Sequence, residues 1–181
     1  MHRTLSKAFG NMLSEARLLF RVERSEHQDP HVIAQSLVEP DWSALPVGYA
    51  NATSKTFDLK LEKGRVLRFR LLARASKRDP RTRKRVTVRG DEAVKIWLER
   101  KAQHAGFEIR TLKINETRWH DTKRIERLPN GNPKPLQAVQ FDGVLVVTDP
   151  DKLRQAVRNG IGPQKAYGFG LLSLAPLEAT L

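Results

Sequence analysis

The segment Asp149-Pro150-Asp151-Lys152-Leu153-Arg154-Gln155-Ala156-Val157-Arg158-Asn159-Gly160, with the strand-like Leu171-Leu172-Ser173-Leu174-Ala175 a short way beyond it, decides how the chain is read. Asp149 offers an N-cap oxygen and Pro150 suits the first helical position. Leu153, Ala156 and Val157 recur at helical spacing, and Gly160 ends the run. Immediately before this helix, Leu136–Thr148 reads as a long strand interrupted at Asp142-Gly143. That pair suits a hairpin turn or a bulge, and the helix that follows at once favours a bulge. Further back, Phe107–Thr117 is a strand and Asp91 caps a helix. Ala93, Val94, Trp97, Leu98 and Ala102 form that helix's buried stripe and Gly106 ends it, so Trp97 belongs to the core. The strand from Val66 turns Leu67, Phe69, Leu71 and Ala73 one way and Arg68, Arg70 and Arg74 the other, with Leu72 between them. The resulting order, strand, helix, strand, strand, helix, strand, is that of a ferredoxin-like unit, with a four-stranded antiparallel sheet under two helices.

The first half repeats this order without its opening strand. Residues 2–13 read as a helix buried through Leu5, Ala8, Phe9 and Met12. Leu18–Arg24 and Val32–Val38 read as a hairpin around the polar turn Ser25–Pro30. A short helix over Trp42–Ala50 and a weak strand over Lys55–Leu61 follow. The fold class expected is therefore α+β, with tandem ferredoxin-like (RRM-like) domains, the N-terminal one missing its first strand. Glu62-Lys63-Gly64 is the turn that separates residues 1–62 from residues 63–181.

The chain has 181 residues, 33 Lys and Arg against 20 Asp and Glu, a formal charge of +13, and no cysteine. The absence of cysteine excludes a disulfide scaffold, a zinc finger of the cysteine type and a thiol nucleophile. No apolar run reaches the roughly twenty residues of a membrane span, and Met1-His2-Arg3-Thr4 opens no secretory leader, so a cytoplasmic protein is expected. Such a surplus of positive charge attracts polyanions. Nucleic acid is favoured over an acidic membrane because no stretch pairs a basic face with a broad aromatic or leucine face. Seven of the thirteen residues in Lys77–Arg89 are basic, among them Lys77, Arg78, Arg83, Lys84 and Arg85. The connection Arg118–Pro135 adds Arg118, Lys123, Arg124, Arg127 and Lys134, with Trp119 as a packing or base-stacking residue. Three arginines on one strand face suit either a bound anion or ion pairs with nearby acids.

Gly160, Gly162, Gly168 and Gly170 fall within eleven residues. Such a segment is either a tight helix-to-strand connection or a loop whose amides approach a phosphate; its spacing is not that of a Walker loop. His27, His31, His104 and His120 show no metal-ligand spacing, and Glu23 and Asp142 are single carboxylates without an evident pair. Neither a metal nor a cofactor is expected.

The run Gly160-Ile161-Gly162-Pro163 through Tyr167-Gly168-Phe169-Gly170-Leu171-Leu172-Ser173-Leu174-Ala175-Pro176 resembles the C-terminal signature of the CasE family, the CRISPR-associated endoribonucleases of the type I-E Cascade complex (RAMP superfamily). Met1–Phe9, Leu18–Glu23, Glu39-Pro40-Asp41-Trp42 and Leu67–Leu71 resemble the same family in the same order. The resemblance implies tandem ferredoxin-like domains and metal-independent cutting of a CRISPR repeat hairpin at its stem base by 2′-hydroxyl attack. It also implies retention on the guide RNA as a subunit among other Cascade proteins. His2 falls on the family's catalytic histidine, and Lys7 is placed to reach the scissile phosphate. Arg3, Arg68, Arg70 and Lys165 join the basic segments as candidate RNA contacts. Family members carry a strand and a tyrosine upstream of that histidine; this chain starts at Met1. A non-catalytic repeat-hairpin-binding protein is therefore the alternative expectation.

Overall fold

A computed structural model describes residues 1–25, 28–58, 60–118, 125–127, 133–135 and 137–177. The elements run α1 (His2–Leu5), a 3-10 segment (Ser6–Met12), α2 (Leu13–Ala16), β1 (Leu19–Ser25) and β2 (Gln28–Gln35). They continue through β3 (Val66–Ala73), β4 (Ser76–Arg78), β5 (Arg85–Thr87), α3 (Asp91–His104) and β6 (Phe107–Arg118). The last are β7 (Ile125–Arg127), β8 (Pro133–Pro135), β9 (Gln137–Val147), α4 (Pro150–Asn159) and β10 (Leu172–Pro176). No helix among them is long and apolar enough to cross a membrane.

The larger sheet has the order β10-β3-β9-β6, and every pairing in it is antiparallel. Alternation along each strand sends Leu67, Phe69, Leu71, Phe141, Leu145, Val147 and Leu172 to one face, where Val94, Trp97, Leu98 and Ala102 of α3 and Leu153 and Val157 of α4 cover them. Trp97 stacks on Phe141 with ring centroids 6.1 Å apart and donates its indole N–H to the Ser76 carbonyl at 3.0 Å. Leu72, on the opposite face, is buried against Ala138 and Phe169, which accounts for a leucine in the arginine row.

Several local expectations are corrected. The helix over residues 2–13 tightens to 3-10 geometry after Leu5 and breaks inside that segment at Gly10, whose backbone leaves the helical region (φ 46°, ψ −126°). The hairpin forms, displaced by one to four residues. Only Trp42–Ala44 of the short helix is helical, capped by the Asp41 carboxylate. Among the described residues of Lys55–Leu61 no strand forms: the segment is exposed up to Leu61, which alone joins the core of the larger sheet. The first half is thus a two-stranded ribbon packed on α1 and the 3-10 segment through Leu5, Phe9, Phe20 and Val22. Gly90, not Asp91, occupies the N-cap of α3, and Ala93 faces solvent rather than the core. Asp149 caps α4 as expected, accepting from the Asp151 and Lys152 N–H groups at 3.2 and 3.1 Å.

The irregularity at Asp142-Gly143 lies in the neighbouring strand. β9 runs unbroken, and the register slips between Ile109 and Thr111 of β6. That bulge pushes the β6 backbone toward β9. A Cβ at position 143 would lie 2.1 Å from the Thr111 carbonyl oxygen, so only glycine fits there. The Val144 N–H donates to the Thr111 hydroxyl at 3.1 Å across the same bulge.

Candidate functional site

His2 opens α1 with its ring half-buried against Phe20 of β1, their centroids 6.1 Å apart. The Ser6 hydroxyl donates to the His2 carbonyl at 2.8 Å and lies 3.3 Å from Nδ1. A hydroxyl has one proton to give. With that proton directed to the carbonyl, the Ser6 oxygen accepts from Nδ1–H, and Nε2 keeps its lone pair. Burial, and then the Met1 ammonium group, hold the imidazole below its usual range. Arg3, on the same helix, and Lys7, on the 3-10 segment that follows it, are exposed.

The Lys77–Arg89 segment is a short hairpin, β4 paired with β5, rather than a loop. At its tip the Asp79 carboxylate accepts from the N–H groups of Arg81 and Thr82 at 2.8 and 2.9 Å, and these bonds lower its pKa. The segment's only acid is thus turned onto backbone, with Lys77 as its charged neighbour, while Arg78, Arg83, Lys84 and Arg85 are exposed around it. Lys165, half-buried in the middle of the glycine-rich segment, donates to the Gly162 carbonyl at 2.8 Å. Burial, then the positive charges of Lys101 and Arg85, lower its pKa. Arg85 in turn donates to the Ser76 hydroxyl at 3.3 Å. Arg85, Lys101 and Lys165 therefore converge around Ser76, Trp97 and Gly162, and none of the three makes an ion pair among the described residues. Sequence reading missed Lys101, which no local pattern separates from the other charges on the exposed side of α3.

The glycine-rich segment is a closed crossover. Ile161 N–H donates to the Gly170 carbonyl at 2.9 Å and Gly170 N–H to the Leu72 carbonyl at 2.7 Å. The amides of Gly160, Tyr167 and Gly168 are also taken by protein carbonyls, so of the two readings of this segment the tight connection matches its geometry. At Gly170 (φ 89°) a Cβ would meet the Ile161 carbonyl at 2.9 Å, which is why the crossing requires glycine.

The arginine row separates into different environments. Arg68 is exposed; Arg74 is buried and donates to the Thr87 hydroxyl at 3.2 Å. Arg70 lies directly across from Asp142 and bonds it at 2.5 Å, while its Nη1 reaches Glu23 Oε1 at 3.2 Å. Glu23 and Asp142, which read as unpaired, share this arginine. Glu23 also takes two bonds from Arg21, at 2.9 and 3.1 Å. Lys123, Arg124, Trp119, His27 and His120 lie outside the described residues, as do the side chains of Arg118, Arg127 and Lys134, whose backbones belong to β6, β7 and β8. No group of three or more His, Asp and Glu among the described residues is placed to hold a metal ion.

The fold and site define a strongly basic α+β protein with antiparallel sheets and a half-buried histidine at its first helix. The chain belongs to the CasE family of CRISPR-associated proteins: the family model described as "CRISPR associated protein" matches residues 1–176. The chain is 42% identical to the CRISPR-associated endoribonuclease Cse3 of Thermus thermophilus, over 97% of this chain and 89% of that one. It is 35% identical to the CRISPR system Cascade subunit CasE of Escherichia coli, over 98% and 91%. Thermus thermophilus Cse3, solved bound to an RNA representing a pre-cleavage complex, superposes with a TM-score of 0.85 at 40% identity, over 97% of this chain and 87% of that one.

Proposed function

We propose that this protein matures CRISPR guide RNA, cutting the repeat hairpin without a metal ion and remaining on the product as a Cascade subunit. The observation that carries the reading is His2, a half-buried imidazole at the start of the first helix whose pKa burial lowers, in a chain 42% identical to an endoribonuclease. In the reaction the 2′-hydroxyl oxygen attacks the adjacent phosphorus and the bond to the 5′-oxygen breaks. The products are a cyclic phosphate on one fragment and a 5′-hydroxyl on the other. As base, His2 Nε2 takes the 2′-hydroxyl proton while water protonates the leaving oxygen; as acid, its protonated form gives a proton to the leaving oxygen while water takes the 2′-hydroxyl proton. Lys7 stabilises the phosphorane charge.

Both halves, residues 1–62 and 63–181, are variants of the ferredoxin-like plan, the described part of the first being its helical start and the β1–β2 ribbon. The strand order of the larger sheet and its two covering helices support this for the second half. Arg3, Arg68, Arg70, Lys77, Arg78, Arg83, Lys84, Arg85, Arg118, Lys123, Arg124, Arg127, Lys134 and Lys165, with Lys101, supply phosphate contacts, so the duplex stem is read mainly through backbone and shape. Gly160, Gly162, Gly168 and Gly170 shape the crossover that presents Lys165.

The test is incubation of the purified chain with a type I-E repeat hairpin in EDTA, resolved on denaturing and native gels. One cut at the stem base, abolished by a 2′-deoxy substitution at the scissile nucleotide, is expected. RNA retarded on the native gel but intact on the denaturing gel would replace this reading with that of a hairpin-binding protein.

A further inference from the structure

Arg21 is 3% exposed, yet nothing in the chemistry above uses it. It lies on β1 next to Phe20, and alternation sends the two side chains to opposite faces of the strand. Phe20, 1% exposed, packs into the N-terminal cluster and forms the wall against which the His2 ring rests. Arg21 points the other way, into the larger sheet. Its Nη1 donates to the Ser173 hydroxyl at 3.0 Å and the Leu171 carbonyl at 3.3 Å. Its Nε and Nη2 hold Glu23, Glu23 holds Arg70, and Arg70 holds Asp142, whose other oxygen accepts from Gln140 at 2.7 Å. The chain of bonds joins β1 to β10, β3 and β9 and balances two positive against two negative charges.

The ribbon has other attachments to the second half. Gln35 donates to the Val157 carbonyl at 2.9 Å, Arg17 bonds Asn159, and Leu19 packs at the Gly160 backbone. All of these tie the ribbon to α4 and its end, whereas the Arg21 network reaches the sheet face itself. Among the described residues β1 pairs with β2 alone, so no second neighbouring strand fixes its position.

We propose that Arg21 is a positioning residue for cleavage: by anchoring β1 to the larger sheet it holds Phe20, and through Phe20 the His2 ring, in line with RNA bound across the second half. This rests on the function proposed above. At 3% exposure Arg21 has no surface to offer RNA, so its effect on cutting passes through position rather than contact. Displacements of about an ångström at a reacting group cost rate far more than affinity, which sets the expected signature.

The test compares wild type, Arg21→Met and Arg21→Lys, each checked for folding by circular dichroism. Three quantities are read: the single-turnover cleavage rate, the Kd for the 2′-deoxy hairpin, and the His2 imidazole titration followed by NMR. Arg21→Met should cut about tenfold to a hundredfold more slowly while Kd stays within about twofold. Its His2 should titrate higher than in wild type, because loosening Phe20 lets water reach the ring. Arg21→Lys, which keeps the charge and a donor, should recover most of both losses. A folded Arg21→Met with wild-type rate and wild-type titration overturns the proposal, as does a rate loss matched by an equal loss of affinity. If wild type itself does not cut, the cleavage function fails. The His2 titration then judges the link from Arg21 to His2 separately, an unmoved titration refuting it.

Discussion

One methyl group added at position 143 tests the packing of the larger sheet. In Gly143→Ala the new Cβ starts 2.1 Å from the Thr111 carbonyl oxygen and 3.0 Å from Phe69 Cε1, whereas real Cβ contacts essentially never fall below 3.0 Å. Gly143 lies in the middle of β9, hydrogen-bonded to β3 on one side and to β6 on the other, so relief requires backbone movement in a central strand. Overpacking of this kind costs about 1–3 kcal/mol, and more where backbone must yield. Against it, alanine restricts the unfolded chain and stabilises by about 0.4–1 kcal/mol where the backbone conformation is allowed, as it is here. Because the contact is with backbone, the upper end of that cost applies, and the net expectation is a loss of about 2 kcal/mol, a fall of roughly 4–8 °C in Tm for a chain of this size. Urea denaturation followed by tryptophan fluorescence reads it, since Trp97 stacks on Phe141 of the same strand. A variant with the wild-type midpoint, or a higher one, would refute the argument that the β6 bulge presses on Gly143.

Two further predictions concern charge. Arg85→Ala and Lys101→Ala should each weaken hairpin binding about equally for any stem sequence and reduce the slope of log K against log salt by about one, measured by filter binding across a salt series. Burial pushes Glu23 up, but the bonds and charges of Arg21 and Arg70 outweigh it, leaving its pKa below the ordinary glutamate value. A lowered carboxyl contributes stability that is full above its unfolded pKa and lost as pH falls through the folded one. The stability gap between wild type and Glu23→Gln should therefore be widest near neutrality and close in acid, below the ordinary glutamate value of 4.5. A gap unchanged down to about pH 3 would contradict the network.

The second half was legible because its signals are local. The Asp149-Pro150 start of α4, the Val94–Trp97–Leu98 stripe and the alternation of β3 each report one element, and burial agrees with all three. The failures lie where a distant backbone decides the outcome. Asp142-Gly143 showed that something breaks regularity, but not that the extra residue belongs to β6, far along the chain. Arg21 and Glu23 read as ordinary polar positions of a two-stranded ribbon; only the packing of that ribbon on the larger sheet makes them a buried network. Lys55–Leu61 has the residues of a weak strand, yet Trp42 donates to Ser54 in the run before it, and among the described residues no strand edge receives the segment. The environment of His2 was not legible, because it is built by Phe20 and Ser6, both on elements other than its own helix.

The most direct measurement is cleavage of a matching repeat hairpin in EDTA by wild type and by His2→Ala, with affinity for the hairpin measured in parallel. Wild type should give one cut leaving a cyclic phosphate and a 5′-hydroxyl. The variant should bind as tightly while cutting about 10²- to 10⁴-fold more slowly. Undiminished cleavage by His2→Ala would contradict the assignment of the chemistry to this histidine.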